Sequence, residues 1–189
     1  MKKRLFIAVD ISDEARKAAA HYIEQMSKMS GHLSVKWERP EKLHLTLKFL
    51  GSTEEFLIPE VIDLVDRQSK TTKPFTIEIG GTGAFPSARS PRVLWLGVNE
   101  PSGAMKDLAK RIEADCAALG FEPENRSFKP HLTLARIREP RSAGSLGVEH
   151  AANKFGPITF ICKEVVIYES HLGRGGSNYE KLHAANFTG

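Results

Sequence analysis

Residues 44–50 read His-Leu-Thr-Leu-Lys-Phe-Leu and residues 131–137 read His-Leu-Thr-Leu-Ala-Arg-Ile. The tetrapeptide His-Leu-Thr-Leu thus occurs once in each half of the 189-residue chain, each time after a basic residue and a proline (Arg39-Pro40, Lys129-Pro130). Both copies lie in short, apolar, strand-like runs, and side chains along a strand alternate between faces. His44 and Thr46 therefore project together, with Leu45 and Leu47 opposite. His131 and Thr133 stand in the same relation to Leu132 and Leu134. Each strand buries its leucines and presents an imidazole beside a hydroxyl. The repeat reads as a duplicated structural unit with a period too long for a solenoid. If the two units pack about a pseudo-two-fold axis, two imidazoles and two hydroxyls face one another across a cleft.

Outward from the motifs, strands and helices are interspersed. Residues 4–10 form a buried strand, and Ser12 caps a helix whose first turn carries Asp13 and Glu14. Trp37 and Pro40 fall in a loop. Gly51 closes the first motif strand, and Ser52 with Glu55 makes a capping-box pattern for a helix to about Lys70. Phe75, Ile77 and Ile79 alternate in a half-wet strand, residues 93–96 read as a central strand, and Ser102 opens a helix closed by Gly120. Residues 128–137 form the second motif strand. A short helix near 147–154 follows, then strands at 157–162, 164–169 and about 178–183, with Gly173, Gly175 and Gly176 in the last turn. No strict βαβ rhythm and no Gly-x-Gly-x-x-Gly turn occurs, so the class is α+β rather than a Rossmann sheet. Nothing marks a domain boundary, and residues 1–189 read as a single domain.

Composition narrows the class further. A hydrophobic fraction of 41% and a charged fraction of 26% are those of a globular protein with a real core. No apolar run reaches the roughly 20 residues that span a bilayer. The basic N-terminus has no secretory apolar segment after it, because Asp10, Ser12 and Asp13 interrupt the run; the expected location is cytoplasmic. Two cysteines, Cys116 and Cys162, lack metal or redox spacing and are not expected to pair; Cys116 shares an apolar stripe with Met105, Leu108, Ile112 and Leu119 and is expected to be buried. The net charge of +4 suits an anionic partner without requiring one.

Paired imidazoles suit phosphodiester chemistry. A base removes a proton from the attacking oxygen while an acid protonates the leaving oxygen. Histidine, with an ordinary pKa near ~6.5, serves in either role at neutral pH. Threonine hydroxyls beside them can donate to non-bridging phosphate oxygens. The chemistry needs no metal or cofactor, and no carboxylate or third histidine stands at a metal-site spacing. The other histidines, His21, His32, His150, His171 and His183, read as structural or exposed.

At these residues the sequence resembles the 2H phosphoesterase superfamily, named for two His-x-Thr motifs, and within it the RNA 2′,3′-cyclic phosphodiesterase branch, also called 2′-5′ RNA ligases. The resemblance runs over nearly the whole chain: residues 4–8, the block 43–51, residues 83–87 with 91–97, the block 130–136, and Tyr168-Glu-Ser with Tyr179. It implies a bilobal fold, two pseudo-symmetric lobes with antiparallel sheets around a central cleft. It implies hydrolysis of RNA 2′,3′-cyclic phosphate ends, or of a cyclic nucleotide, to 2′-phosphomonoesters; the protein is expected to be a monomer. It also implies that His44 is the proton donor and His131 the proton acceptor, roles the two near-identical motifs do not distinguish by themselves. Ligation through a 2′-5′ linkage, or RNA binding without catalysis, are the competing readings.

Beyond the motifs, Lys48 shares the face of Thr46 by alternation and is a candidate phosphate contact. Arg136 is a second candidate, although alternation puts it opposite His131 unless a bulge intervenes. Phe6, Trp37, Phe49 and Phe128 read as core rather than as platforms for a base, and Gly173–Gly176 as a plain hairpin loop.

Overall fold

A computed structural model of the chain describes residues 1–31, 33–173 and 176–189. His32 and Gly175 therefore lie outside the described residues. The elements run β1 (Lys2–Asp10), α1 (Asp13–Ser30), β2 (Val35–Trp37), β3 (His44–Glu54), α2 (Ile58–Lys70), β4 (Phe75–Phe85) and β5 (Val93–Asn99). They continue with α3 (Ala104–Ala118), β6 (His131–Ile137), α4 (Gly144–Ala152), β7 (Ile158–Cys162), β8 (Glu164–Gly173) and β9 (Gly176–Asn186).

The strands form two antiparallel sheets, one ordered β3-β1-β8-β9 and the other β2-β6-β5-β4-β7. Each His-Leu-Thr-Leu strand thus belongs to a different sheet, and β3 touches β6 where the sheets meet. Within each sheet the motif strand pairs with an apolar neighbour, β1 or β5. Leu5–Val9 of β1 is buried residue after residue, as expected for a strand covered on both faces. The lobes are not simply the two halves of the sequence. The segment from β4 to β5 joins the second sheet, while α3, which follows it, packs on β3 of the first. One contiguous cluster of buried side chains runs through both sheets, and it includes both free cysteines. Among the described residues no helix is long and apolar enough to cross a membrane.

Local signals explain most boundaries. The Ser12 hydroxyl accepts from the Ala15 amide at 3.1 Å, a cap of the kind that contributes about 1 kcal/mol. The capping-box reading at Ser52 fails, because Ser52 and Thr53 are held in the ladder opposite Arg4 and Lys3. The first motif strand therefore runs on to Glu54, and α2 opens later, at Ile58, with Pro59 in its first turn. Gly51 does not end the strand but sits at a bulge within it, at φ 70°, a conformation that any Cβ would strain. Val35–Trp37, read as loop, is a three-residue edge strand against β6. α3 begins after Ser102, and the Glu100 carboxylate accepts from the Ser102 and Met105 amides at its start.

Candidate active site

The two motif strands share more than four residues. From His44 to Leu50 and from His131 to Ile137 the sequence of half-buried, buried and exposed positions is the same. In both, alternation holds through the second leucine and then breaks. Ala8 pairs with Thr46 but Ile7 with Lys48, so Leu47 is an extra residue. Trp95 pairs with Thr133 but Leu94 with Ala135, so Leu134 is extra. A bulge at the same place in each strand rotates everything after it by one face.

That rotation corrects one expectation and settles the geometry of another. Lys48 does not share the face of Thr46. Its side chain is turned away from the cleft, 4% exposed, and donates to a Glu113 carboxylate oxygen at 2.8 Å and the Glu122 carbonyl at 2.7 Å. Arg136 is brought round to the cleft, where its Nε lies 3.8 Å from Glu38. Phe49 occupies the matching position on β3 and is 62% exposed, so it is not core. Phe6 is buried beside it, while Trp37 and Phe128 pack against the core from partly covered positions.

His44, Thr46, His131 and Thr133 line one cleft of about 440 Å³ between the sheets. Both imidazoles are anchored in one way. His44 Nδ1 lies 2.6 Å from the Lys42 carbonyl, and His131 Nδ1 lies 2.8 Å from the Lys129 carbonyl. A carbonyl can only accept, so each Nδ1 carries the proton and each Nε2 is left for chemistry. His44 Nε2 is 3.0 Å from the Thr46 hydroxyl, which donates to it when the ring is neutral.

The surroundings of the two rings differ. His44 is walled in by Phe6 at 4.7 Å between centroids, Tyr179 edge-on at 5.3 Å and Tyr168 at 6.0 Å. Burial holds its pKa below the ordinary histidine range; the Lys42 carbonyl and Asp10 oppose that shift, and Arg16 and Arg136 add to it. Asp10, directly across the ladder from His44, accepts from the Tyr168 hydroxyl at 2.5 Å and pairs with Lys181 at 2.7 Å. His131 sits more openly, with Phe85 edge-on at 5.1 Å and Gly97 as its ladder partner.

Sequence reasoning missed Arg4 and Lys42, the cations that join Arg136 at the cleft, and Ser170 and Ser177 on β8 and β9. Arg4 shares a strand face with Phe6, so alternation along β1 was an available signal; no local signal marks the others. Lys42 donates to the Ser177 carbonyl and so ties the turn before His44 to the β8–β9 hairpin. Of the remaining histidines, His150 is fully buried, with Nδ1 2.9 Å from the Tyr22 hydroxyl and Nε2 3.1 Å from the Gly83 and Trp95 carbonyls. It joins α4 to α1 and to the second sheet. His21, His171 and His183 bond to Gln25, Glu180 and Asp66 away from the cleft. Among the described residues no three His, Cys, Asp or Glu side chains group as metal ligands would.

Comparison with known proteins follows the same outline. A protein of Methanothermobacter thermautotrophicus named RNA 2′,3′-cyclic phosphodiesterase is 38% identical over 146 residues, 77% of this chain and 77% of its own. One of the same name from Archaeoglobus fulgidus is 37% identical over 95% of this chain and 97% of its own. The crystal structure of E. coli LigT complexed with 3′-AMP covers all of both chains with a TM-score of 0.79 at 27% identity. The family described as the 2′-5′ RNA ligase superfamily matches residues 13–174, and with relatives this similar over nearly its full length the chain belongs to that superfamily.

Proposed function

We propose that the protein hydrolyses 2′,3′-cyclic phosphates at RNA ends to 2′-phosphomonoesters, with His44 as proton donor and His131 as proton acceptor. The observation that carries the reading is the matched pair of imidazoles, each held through Nδ1 by the carbonyl two residues back, with both rings lining one cleft. The relatives' names and the 3′-AMP in the E. coli structure support the substrate class. His131 Nε2 takes a proton from water as the water oxygen bonds to phosphorus. The bond from phosphorus to the 3′ oxygen breaks, and that oxygen takes the proton from His44 Nε2. Thr46 and Thr133 donate to the non-bridging oxygens, whose charge grows in the transition state, and Arg136, Arg4 and Lys42 make the cleft favourable for an anion.

Burial keeps His44 neutral more readily than an exposed imidazole, which opposes a role as acid. The substrate removes that obstacle. Its phosphate brings a negative charge to Nε2, which favours the imidazolium, so the acid is generated when the cleft is filled. The proposal also holds the protein to be a single bilobal domain, monomeric and independent of metal. The test is product analysis on a short RNA ending in a 2′,3′-cyclic phosphate, with EDTA present. A 2′-phosphate product from wild type, lost in His44→Ala and in His131→Ala, is expected. A 3′-phosphate product reverses the leaving-group assignment, and unimpaired turnover in either variant removes that histidine from the mechanism.

A further inference from the structure

Just before His44 the chain makes a single 3₁₀ turn over Pro40–Lys42, and the carbonyl of Lys42 at its end is the group that holds His44 Nδ1. Such a turn is a weak support for a catalytic ring. It has one internal bond, Leu43 N to the Pro40 carbonyl at 3.2 Å, with Lys42 N to the Arg39 carbonyl at 2.9 Å beside it, and Arg39 provides no side-chain cap. The second support comes from elsewhere. Arg16, in the first turns of α1, reaches over and donates from one nitrogen, Nη1, to the Pro40 carbonyl at 2.7 Å and the Leu43 carbonyl at 3.0 Å. These two oxygens bracket Lys42. The Arg16 side chain is half-buried and does not line the cleft.

We propose that Arg16 is a positioning residue for the reaction: by holding the carbonyls on either side of Lys42 it fixes the turn whose carbonyl sets the tautomer and direction of the His44 ring. This rests on the reading of His44 as one of the reacting pair. A guanidinium suits the task because its planar, always-charged fork donates to several oxygens in a set geometry, and bonds from a charged donor are stronger than neutral ones. Geometry matters at this level, since displacing a reacting group by about 1 Å costs on the order of 100-fold in rate. The histidine of the second motif has no counterpart: among the described residues no arginine donates to the carbonyls on either side of Lys129, whose own carbonyl holds His131.

Arg16 also acts through its charge. Asp10 on β1, Arg16 on α1 and Arg136 on β6 act on His44 by charge, Arg4, Glu38, Lys42 and His131 line the same cleft, and the phenols of Tyr168 and Tyr179 on β8 and β9 stand beside the ring. Burial pushes both phenols up, so they stay neutral through the working range. Burial is the main reason the imidazole stays neutral and the Arg16 charge a smaller one, so removing Arg16 should move the His44 pKa upward.

The experiment compares wild type with Arg16→Gln and Arg16→Lys on a cyclic nucleotide, and records the ¹⁵N imidazole resonances of each protein across pH. For Arg16→Gln, kcat is expected to fall about 10- to 100-fold while KM stays within about threefold. Its His44 resonances lose the single Nδ1–H tautomer and titrate at higher pH than in wild type. Arg16→Lys, which keeps the charge without the fork, restores the titration and part of kcat. Unchanged kcat and unchanged resonances in folded Arg16→Gln overturn the proposal, as does a rise in KM alone, which would mean that Arg16 meets substrate. A lower melting temperature with wild-type resonances and kcat reduces Arg16 to a stability role. If wild type itself has no turnover, the functional reading falls, and the resonances still decide whether Arg16 orients the ring.

Discussion

β3 and β6 carry the same tetrapeptide, the same pattern of burial and a bulge at the same residue, yet they deliver two unlike histidines. His44 lies in an aromatic enclosure with a carboxylate across the ladder, whereas His131 lies at an open wall opposite a glycine. The residues after the bulge diverge as well. Phe49 and Arg136 occupy one equivalent pair, both at the cleft; Lys48 and Ala135 occupy the other, both turned inward. A duplicated strand therefore sets where two imidazoles stand and which nitrogen each offers. The strands and loops around it decide how closely each ring is enclosed and what stands across the ladder from it.

The sharpest way to break this comparison is to remove the two rings. His44→Ala and His131→Ala are each expected to lower kcat by about 10²–10⁴, the usual size of a general acid–base contribution. The double variant should fall far short of the product of the two losses, because groups acting as a unit are not additive. Independent, multiplying losses would mean that the two rings do not serve one transition state.

The inward pair gives the next largest effect. Lys48 is a buried cation tied to Glu113, and Glu113 also accepts from the Glu124 amide at 2.9 Å, in the loop that leads toward His131. Removing one partner of such a pair strands the other charge: loss of Glu113 leaves a buried ammonium, whereas loss of Lys48 leaves a carboxylate that keeps some contact with water. Glu113→Gln is expected to destabilise the fold by on the order of 2 kcal/mol, less than for a fully buried pair because Glu113 keeps some contact with water. Lys48→Met should cost less than Glu113→Gln, because the carboxylate it strands is partly hydrated and still accepts from the Glu124 amide. Urea denaturation of both variants checks the order, and a larger loss for Lys48→Met would contradict it.

A smaller difference separates the threonines. The Thr46 hydroxyl already bonds His44 Nε2, and no such bond joins Thr133 to His131 among the described residues. Both Thr46→Ala and Thr133→Ala should cost about 10-fold or somewhat more in kcat through lost transition-state donation, less than removing a full oxyanion-hole donor. Only Thr46→Ala should also change the chemical shift of the neighbouring imidazole in the free protein.

The smallest effect is a titration. The His44 pKa is held below its ordinary value near ~6.5, so its imidazolium forms only as pH falls below that range. Adding inorganic phosphate should move the His44 titration upward, since the anion favours the charged ring. For the same reason the alkaline limb of kcat should lie at higher pH than that of kcat/KM, the first reporting the complex and the second the free enzyme. These limbs belong to the pair rather than to either ring. A His44 that titrates at or above ~6.5 without ligand would show that Asp10 outweighs burial.

Where sequence reasoning succeeded, the deciding contacts were local. The strand character of both motif runs, the inward leucines at 45, 47, 132 and 134, and the cap at Ser12 depend on neighbours within a few residues, and all appear in the structure. It failed where a distant strand overrode a local pattern. Ser52 and Glu55 make a sound capping box, but the first residues of β1 claim Ser52 and Thr53 for the ladder. Strict alternation carried Lys48 to the cleft and Arg136 away from it. Both placements reversed because the number of residues between two ladder pairs is set jointly by both strands.

The sequence by itself therefore determined an α+β chain with two strands that each expose a histidine and a threonine on one face, since a period of two is a property of the extended backbone. Only the tertiary structure decided that Nε2 rather than Nδ1 faces the cleft, that Phe49 and Arg136 stand there while Lys48 does not, and that burial holds His44 below the ordinary histidine range. Register and pKa depend on partner strands and excluded water, which segments far away in the chain supply, and the tautomer depends on a carbonyl only two residues back whose direction the folded turn decides.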